Sequence, residues 1–218
     1  MGGIVTIIQK ELRSFIGSDK GVFLVYAIIV VAWSFMFTSG DGGFAGSFWL
    51  VFFSVVVAAN FSNTVFISER MSGSLEVLIT SGLSRDAILF GKMFFVIIMT
   101  SIIGLSCALM ARIWTLLSPE IGNAQVFTIY DGLLYFSATL LNSSSSAFFS
   151  VRLSSPRLLH FINLFILGGI VTFYTVVSQL YVLHPGWLVV TLLIAGTGFT
   201  IAARREFAGE RIIQPVIL

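Results

Sequence analysis

The sequence predicts an all-α polytopic membrane protein: six transmembrane helices, an N-terminal amphipathic helix at the interface, and both termini in the cytoplasm. Three observations predict it. Of 218 residues 57% are apolar, with only 12 basic and 10 acidic side chains, whereas soluble domains average roughly 45–50% apolar and 25% charged. Long uncharged stretches recur six times along the chain. Basic residues also fall almost entirely on one side of a six-span arrangement.

The first element is amphipathic. Over residues 4–17, Ile4, Ile7, Ile8, Leu12, Phe15 and Ile16 recur at helical spacing, opposite Gln9, Lys10, Arg13 and Ser14, which describes a helix lying along the inner leaflet as an anchor or as a docking face. Spans follow at about 21–38, 44–67, 93–114, 126–151, 158–183 and 185–203, each near the roughly 20 residues a helical crossing needs. A closed barrel is the other spanning solution and needs alternating strands. Val22 to Trp33 does not alternate. Lys10, Arg13, Lys20, Arg70, Arg85, Lys92, Arg152, Arg157, Arg204, Arg205 and Arg211 share one side and Arg112 alone takes the other, which puts the ends inside by the excess of basic residues in cytoplasmic loops. No cleavable signal is visible, and the lack of targeting features fits a prokaryotic plasma membrane. The whole chain is one transmembrane domain with no room for a second.

Several function classes are excluded. A net charge of +2 offers no basic face for nucleic acid, and Cys107 is the sole cysteine. Gly91-Lys92 is followed by Met93 where a P-loop needs Ser or Thr, and Asp86 stands where its first glycine belongs. His160 and His184 fit no metal or hydrolase motif. The chain is expected to be no enzyme and to bind no cofactor or metal.

The longest cytoplasmic connection, residues 68–92, has internal structure. Gly73 or Ser74 starts a short helix that sets Leu75, Leu78 and Ile79 on one face, with Glu76 in its first turn. Ser81-Gly82 stops it, and Ser84 caps the next helix, which runs through Lys92 into the third span. So short a helix needs a surface to pack on: the protein's own spans, the lipid interface or another protein.

Glu69-Arg70, Gly73-Ser74-Leu75-Glu76, Leu78, Gly82-Leu83-Ser84-Arg85, Ile88-Leu89 and Gly91-Lys92 together resemble the cytoplasmic loop of ABC-2 type ABC-transporter permeases, with haem-exporter B-type permeases a neighbouring family. Gly82 stands where that loop often has proline. The resemblance implies an ATP-driven exporter, in which a coupling helix docks on a separate ATP-binding subunit that holds ATP and Mg. It assigns Glu69, Arg70, Gly73, Ser74, Leu75, Glu76, Leu78, Ile79 and Arg85 to that docking. It also implies a second permease copy, identical or similar, around one translocation path.

Polar residues within spans serve either such a path or helix-to-helix bonding. Asn60, Ser62, Asn63 and Thr64 crowd the inner end of the second span, and Gly168, Thr172, Thr175 and Gln179 form a stripe along the fifth. The family's path is lined chiefly by these two spans, so Asn60, Asn63, Thr172, Thr175 and Gln179 are path candidates. Asn142 with Ser143 to Ser146 points to tight packing, as do Gly104 with Ala108 and Gly198 with Ala202. Arg112 is expected to pair with Asp131 or Glu120 near the outer ends of their spans. The rival readings are a secondary transporter or channel without an ATPase, which would show paired broken helices, and a non-transporting membrane anchor subunit.

Overall fold

The computed structural model describes residues 2–17, 20–39, 44–73, 78, 80, 82–117, 128–153, 155–180, 184 and 186–208. All regular structure among them is helical: α1 (Gly2–Ile16), α2 (Lys20–Ser39), α3 (Phe44–Ser62), α4 (Arg85–Leu117), α5 (Ile129–Ser150), α6 (Pro156–Leu180) and α7 (Gly186–Ala208). Beyond Ser62, α3 widens without a break into a π-helical segment, Asn63–Ser68, and then a last α turn, Glu69–Met71.

A helix stands at each place where a span was expected. Four (α3 with its π extension, α4, α6 and α7) are long and apolar enough to cross a membrane. α1 and α2 meet at 93° and qualify as one bent pair, making up to five. The helix at the fourth expected place, α5, falls outside this set, because Asn142 to Ser146 put a polar run in its middle. These five residues are all buried inside the protein, so the second half of α5 is interior.

Among the four candidate spans α3 is the most enclosed: 72% of its span is buried, against 17% for α6. One apolar cluster gathers Phe53, Val57 and Phe61 of α3 with Ile88, Leu89 and Val96 of α4 and Ile7 of α1. A second joins α3, α5, α6 and α7 around Val55, Leu134 and Leu192. Small residues set the closest approaches. A Cβ on Gly104 would lie 2.5 Å from the Tyr135 ring, and one on Gly196 3.2 Å from Leu141 backbone. Gly196, not the expected Gly198, therefore lets α7 approach α5. The Asn142–Ser146 run packs as expected: Asn142 Nδ2 donates to the Val55 carbonyl at 3.0 Å, Ser145 Oγ to Asn163 Oδ1 at 2.8 Å, and Asn163 Nδ2 to Ser146 Oγ at 2.7 Å.

α4 covers 33 residues, about 50 Å at 1.5 Å per residue against a hydrocarbon core of about 30 Å. Its first turns, Arg85 to Lys92, form the far wall of the loop. Ser84 caps it as expected, its Oγ accepting from the Ala87 N–H at 3.2 Å.

Candidate functional site

The base of the loop is held by four charged side chains from three helices. Lys92 of α4 has no solvent exposure, and its Nζ donates to Glu11 Oε1 at 3.1 Å, to the Val65 carbonyl at 2.7 Å and to Glu69 Oε2. Lys10 bonds the other Glu69 oxygen and reaches Glu11 Oε1 at 3.2 Å. Two lysines and two glutamates leave the cluster neutral. A neutral, mutually bonded group is the form in which charge tolerates burial, because desolvating an ion costs several kcal/mol unless partners surround it. Burial by itself drives the Glu69 carboxyl up, but the Lys92 charge and the bonds from both lysines outweigh it and hold the group below its ordinary value. Burial likewise pulls Lys10 down, and its Glu69 bond and the Glu11 charge more than reverse this.

The cluster seats α1. Its apolar face turns onto α4, with Ile7 only 1% exposed, and a Cβ on Gly91 would sit 2.7 Å from the Ile7 Cβ. The helix expected to lie along the leaflet thus gives part of that face, Ile7 foremost, to its own protein, while Leu12 and Ile16 stay exposed. Within the loop sequence, Gly91 permits the contact and Lys92 and Glu69 bind its charges. Glu69, which the resemblance assigns to partner docking, is bound here by Lys10 and Lys92 of its own chain.

Leu78 lies in a helix and packs half-buried against the same core as Leu83, so the short helix uses the protein's own spans as at least part of its surface. Gly73 and Gly82 both adopt left-handed backbone, φ +72° and +80°, at the two ends where the sequence placed a start and a stop. Arg85 opens α4 as a half-buried residue. Ser74, Leu75, Glu76 and Ile79 lie outside the described residues, as does the Arg70 side chain.

The path candidates divide. Asn60 and Thr172 are exposed, and Asn60 returns its amide to the Val56 carbonyl at 2.8 Å. Asn63 instead bonds the His160 ring, joining the π segment to α6. Thr175 bonds the Val171 carbonyl at 2.8 Å, and the Gln179 side chain lies outside the described residues.

The ion pair expected between Arg112 and Asp131 is not formed. Asp131 Oδ2 accepts from Thr128 N at 2.8 Å and Thr128 Oγ1 at 2.7 Å, while Thr128 Oγ1 accepts from the Asp131 N–H, a capping box that starts α5. Arg112 is exposed and makes no ion pair among the described residues; Glu120 lies outside them.

Glu11 was missed by sequence reasoning. Its signal was an acid four residues from both Ile7 and Phe15, in the middle of the apolar stripe. Two further ion pairs were missed as well: Arg204 grips both Asp86 oxygens at 2.7–3.2 Å, and Arg152 binds Glu206. No group of three or more potential metal ligands occurs among the described residues. No protein family, curated protein or solved structure matches the chain.

Proposed function

We propose that the chain is the membrane-spanning permease subunit of an ATP-driven ABC exporter, six-crossing with both ends in the cytoplasm, in a prokaryotic plasma membrane. The observation that carries the reading is the mechanical one at the loop base: Glu69 and Lys92, the residues bracketing the loop, are tied to each other and to α1. Force applied to the short helix between them reaches α1, α3 and α4 together. A separate ATP-binding subunit docking there would move three helices as one lever and switch the path between its inward-facing and outward-facing states. The exposed Asn60 and Thr172 favour a second permease copy covering α3 and α6, because polar side chains in a bilayer favour protein or water over lipid.

Leu78 already packs inward, so Glu76→Lys is the cleaner probe of docking. A tagged chain purified in gentle detergent from its native membrane should bring down a subunit carrying a P-loop and ATPase activity, and Glu76→Lys should lose both. Recovery of the wild-type chain with no P-loop subunit would refute the reading, and so would undiminished ATPase recovery with the variant.

A further inference from the structure

A cleft of about 450 Å³ opens between α4 and α5, at the end of the bundle away from the ionic cluster. Gly104, Leu105 and Ala108 form one wall, and Asp131, Gly132 and Phe136 the other. Its floor includes Leu50 and Phe53 of α3. The mouth is an apolar surface: Leu105 is 63% and Phe136 44% exposed, and a Cβ on Gly132 would meet nothing within 4 Å. Read as membrane-spanning, the bundle turns this mouth outward, toward lipid.

Two opposite charges flank it without meeting. Asp131 lines the cleft, and the capping box uses only its Oδ2, leaving Oδ1 for a second donor. Arg112 follows Leu105 and Ala108 by seven and four residues, so it continues the same stripe of α4 about 6 Å beyond Ala108. Its long side chain can swing along the surface toward the mouth. Tyr130 adjoins Asp131 in the chain, as aromatic rings do at headgroup level.

We propose that this cleft binds one phospholipid of the phosphatidylethanolamine class. One acyl chain fills the apolar part, the ammonium donates to Asp131, and the phosphate pairs with Arg112. The volume agrees: at roughly 30 Å³ per heavy atom, the share water takes in the liquid, the cleft holds about fifteen atoms, most of one acyl chain. A lipid with phosphate alone leaves Asp131 facing an anion, and a quaternary ammonium supplies no N–H. The inference rests on the membrane reading and is independent of the ATP-binding partner.

The test is native mass spectrometry of the delipidated protein titrated in turn with phosphatidylethanolamine, phosphatidylglycerol and phosphatidylcholine of identical chains. Wild type should retain the ethanolamine lipid about tenfold better than the other two, the scale of one charge-assisted contact. Asp131→Asn keeps an acceptor for the Thr128 cap and so keeps the fold, yet should abolish the preference. Arg112→Gln should weaken all three lipids, and Gly132→Leu, filling the cleft, should weaken all three further. Equal retention of the three lipids by wild type would overturn the proposal, as would an unchanged preference in Asp131→Asn. Should Gly132→Leu fail to fold, the Asp131 comparison decides alone.

Discussion

Lys92→Met isolates what the buried cluster contributes. Methionine matches the lysine stem in volume, so the loss is electrostatic. Glu11 and Glu69 keep only Lys10, which is 38% exposed, and the Val65 carbonyl loses its Nζ donor. Breaking a buried ion pair from one side costs about 3–5 kcal/mol, and the remaining lysine sets the low end, about 3 kcal/mol or somewhat over a hundredfold in the docking equilibrium. Glu11→Leu should cost about 2 kcal/mol, since Lys92 keeps Glu69 and the carbonyl. The double variant leaves Lys10 and Glu69 paired and neutral, so its cost should fall short of the sum by about 1 kcal/mol or more. Reversible unfolding in mixed micelles measures all three. Maleimide labelling of Ile7→Cys reports α1 separately, because that position becomes accessible only when the helix lifts off Gly91; Cys107, 1% exposed, stays silent. A Lys92→Met loss under about 0.5 kcal/mol, or strict additivity in the cycle, would refute the argument that the cluster is an interdependent unit.

Acid should release the same helix. The Glu69 carboxyl titrates below its ordinary value in the folded protein, so its contribution is present above that ordinary value and is lost as pH falls through the lower folded one. Lys10 is raised; its contribution is present below the ordinary lysine value and disappears as pH climbs through the higher folded one. Ile7→Cys labelling against pH should therefore be flat across the neutral range and rise at both extremes. Gly91→Val should cost about 1–3 kcal/mol by overpacking Ile7, with Ile7→Ala restoring most of it in thermal unfolding. Tyr135→Phe removes the 2.9 Å bond from Tyr135 Oη to the Thr100 carbonyl and should cost about 0.5–1.5 kcal/mol. Asn163→Leu removes the bonds of Ser145 and Ser146 to α6, leaving Ser145 only the Asn142 carbonyl, and should loosen α6 from α5 by about 1–2 kcal/mol, read in the same unfolding assay.

Where the sequence was informative, one residue carried one local rule. Ser84 before an apolar run located the α4 start, and the two glycines around residue 78 located the bends. The serine run in α5 announced tight packing because small hydroxyl side chains offer little else. Ambiguity arose where a residue had two partners to choose from. Asp131 looked like a mate for Arg112 by depth alone, yet Thr128-Ile129-Tyr130-Asp131 carries the spacing of a capping box, and a bond three residues away wins over one across two helices. The apolar face of α1 fits a leaflet or a helix equally by periodicity. Only Glu11 within it favours the helix, since a leaflet supplies no Lys92. Asn60 and Thr172 show the remaining limit: a face can be polar in sequence, but what covers it depends on a neighbour outside the chain.

The π segment carries one residue more than an α-helix would spend on the same turn, since its bonds run i to i+5. Phase is therefore stored in chain length. Removing one residue between Asn63 and Ser68 would leave uninterrupted α-helix with the phase kept, whereas tightening all six into α-helix would turn all that follows by about 100° and push it on by about 1.5 Å. Glu69 would then swing away from Lys92 while every apolar contact above Ser62 stayed in place. The interval from Asn63 to Ser68 thus works as a spacer whose wide winding decides whether the two ends of the loop find each other.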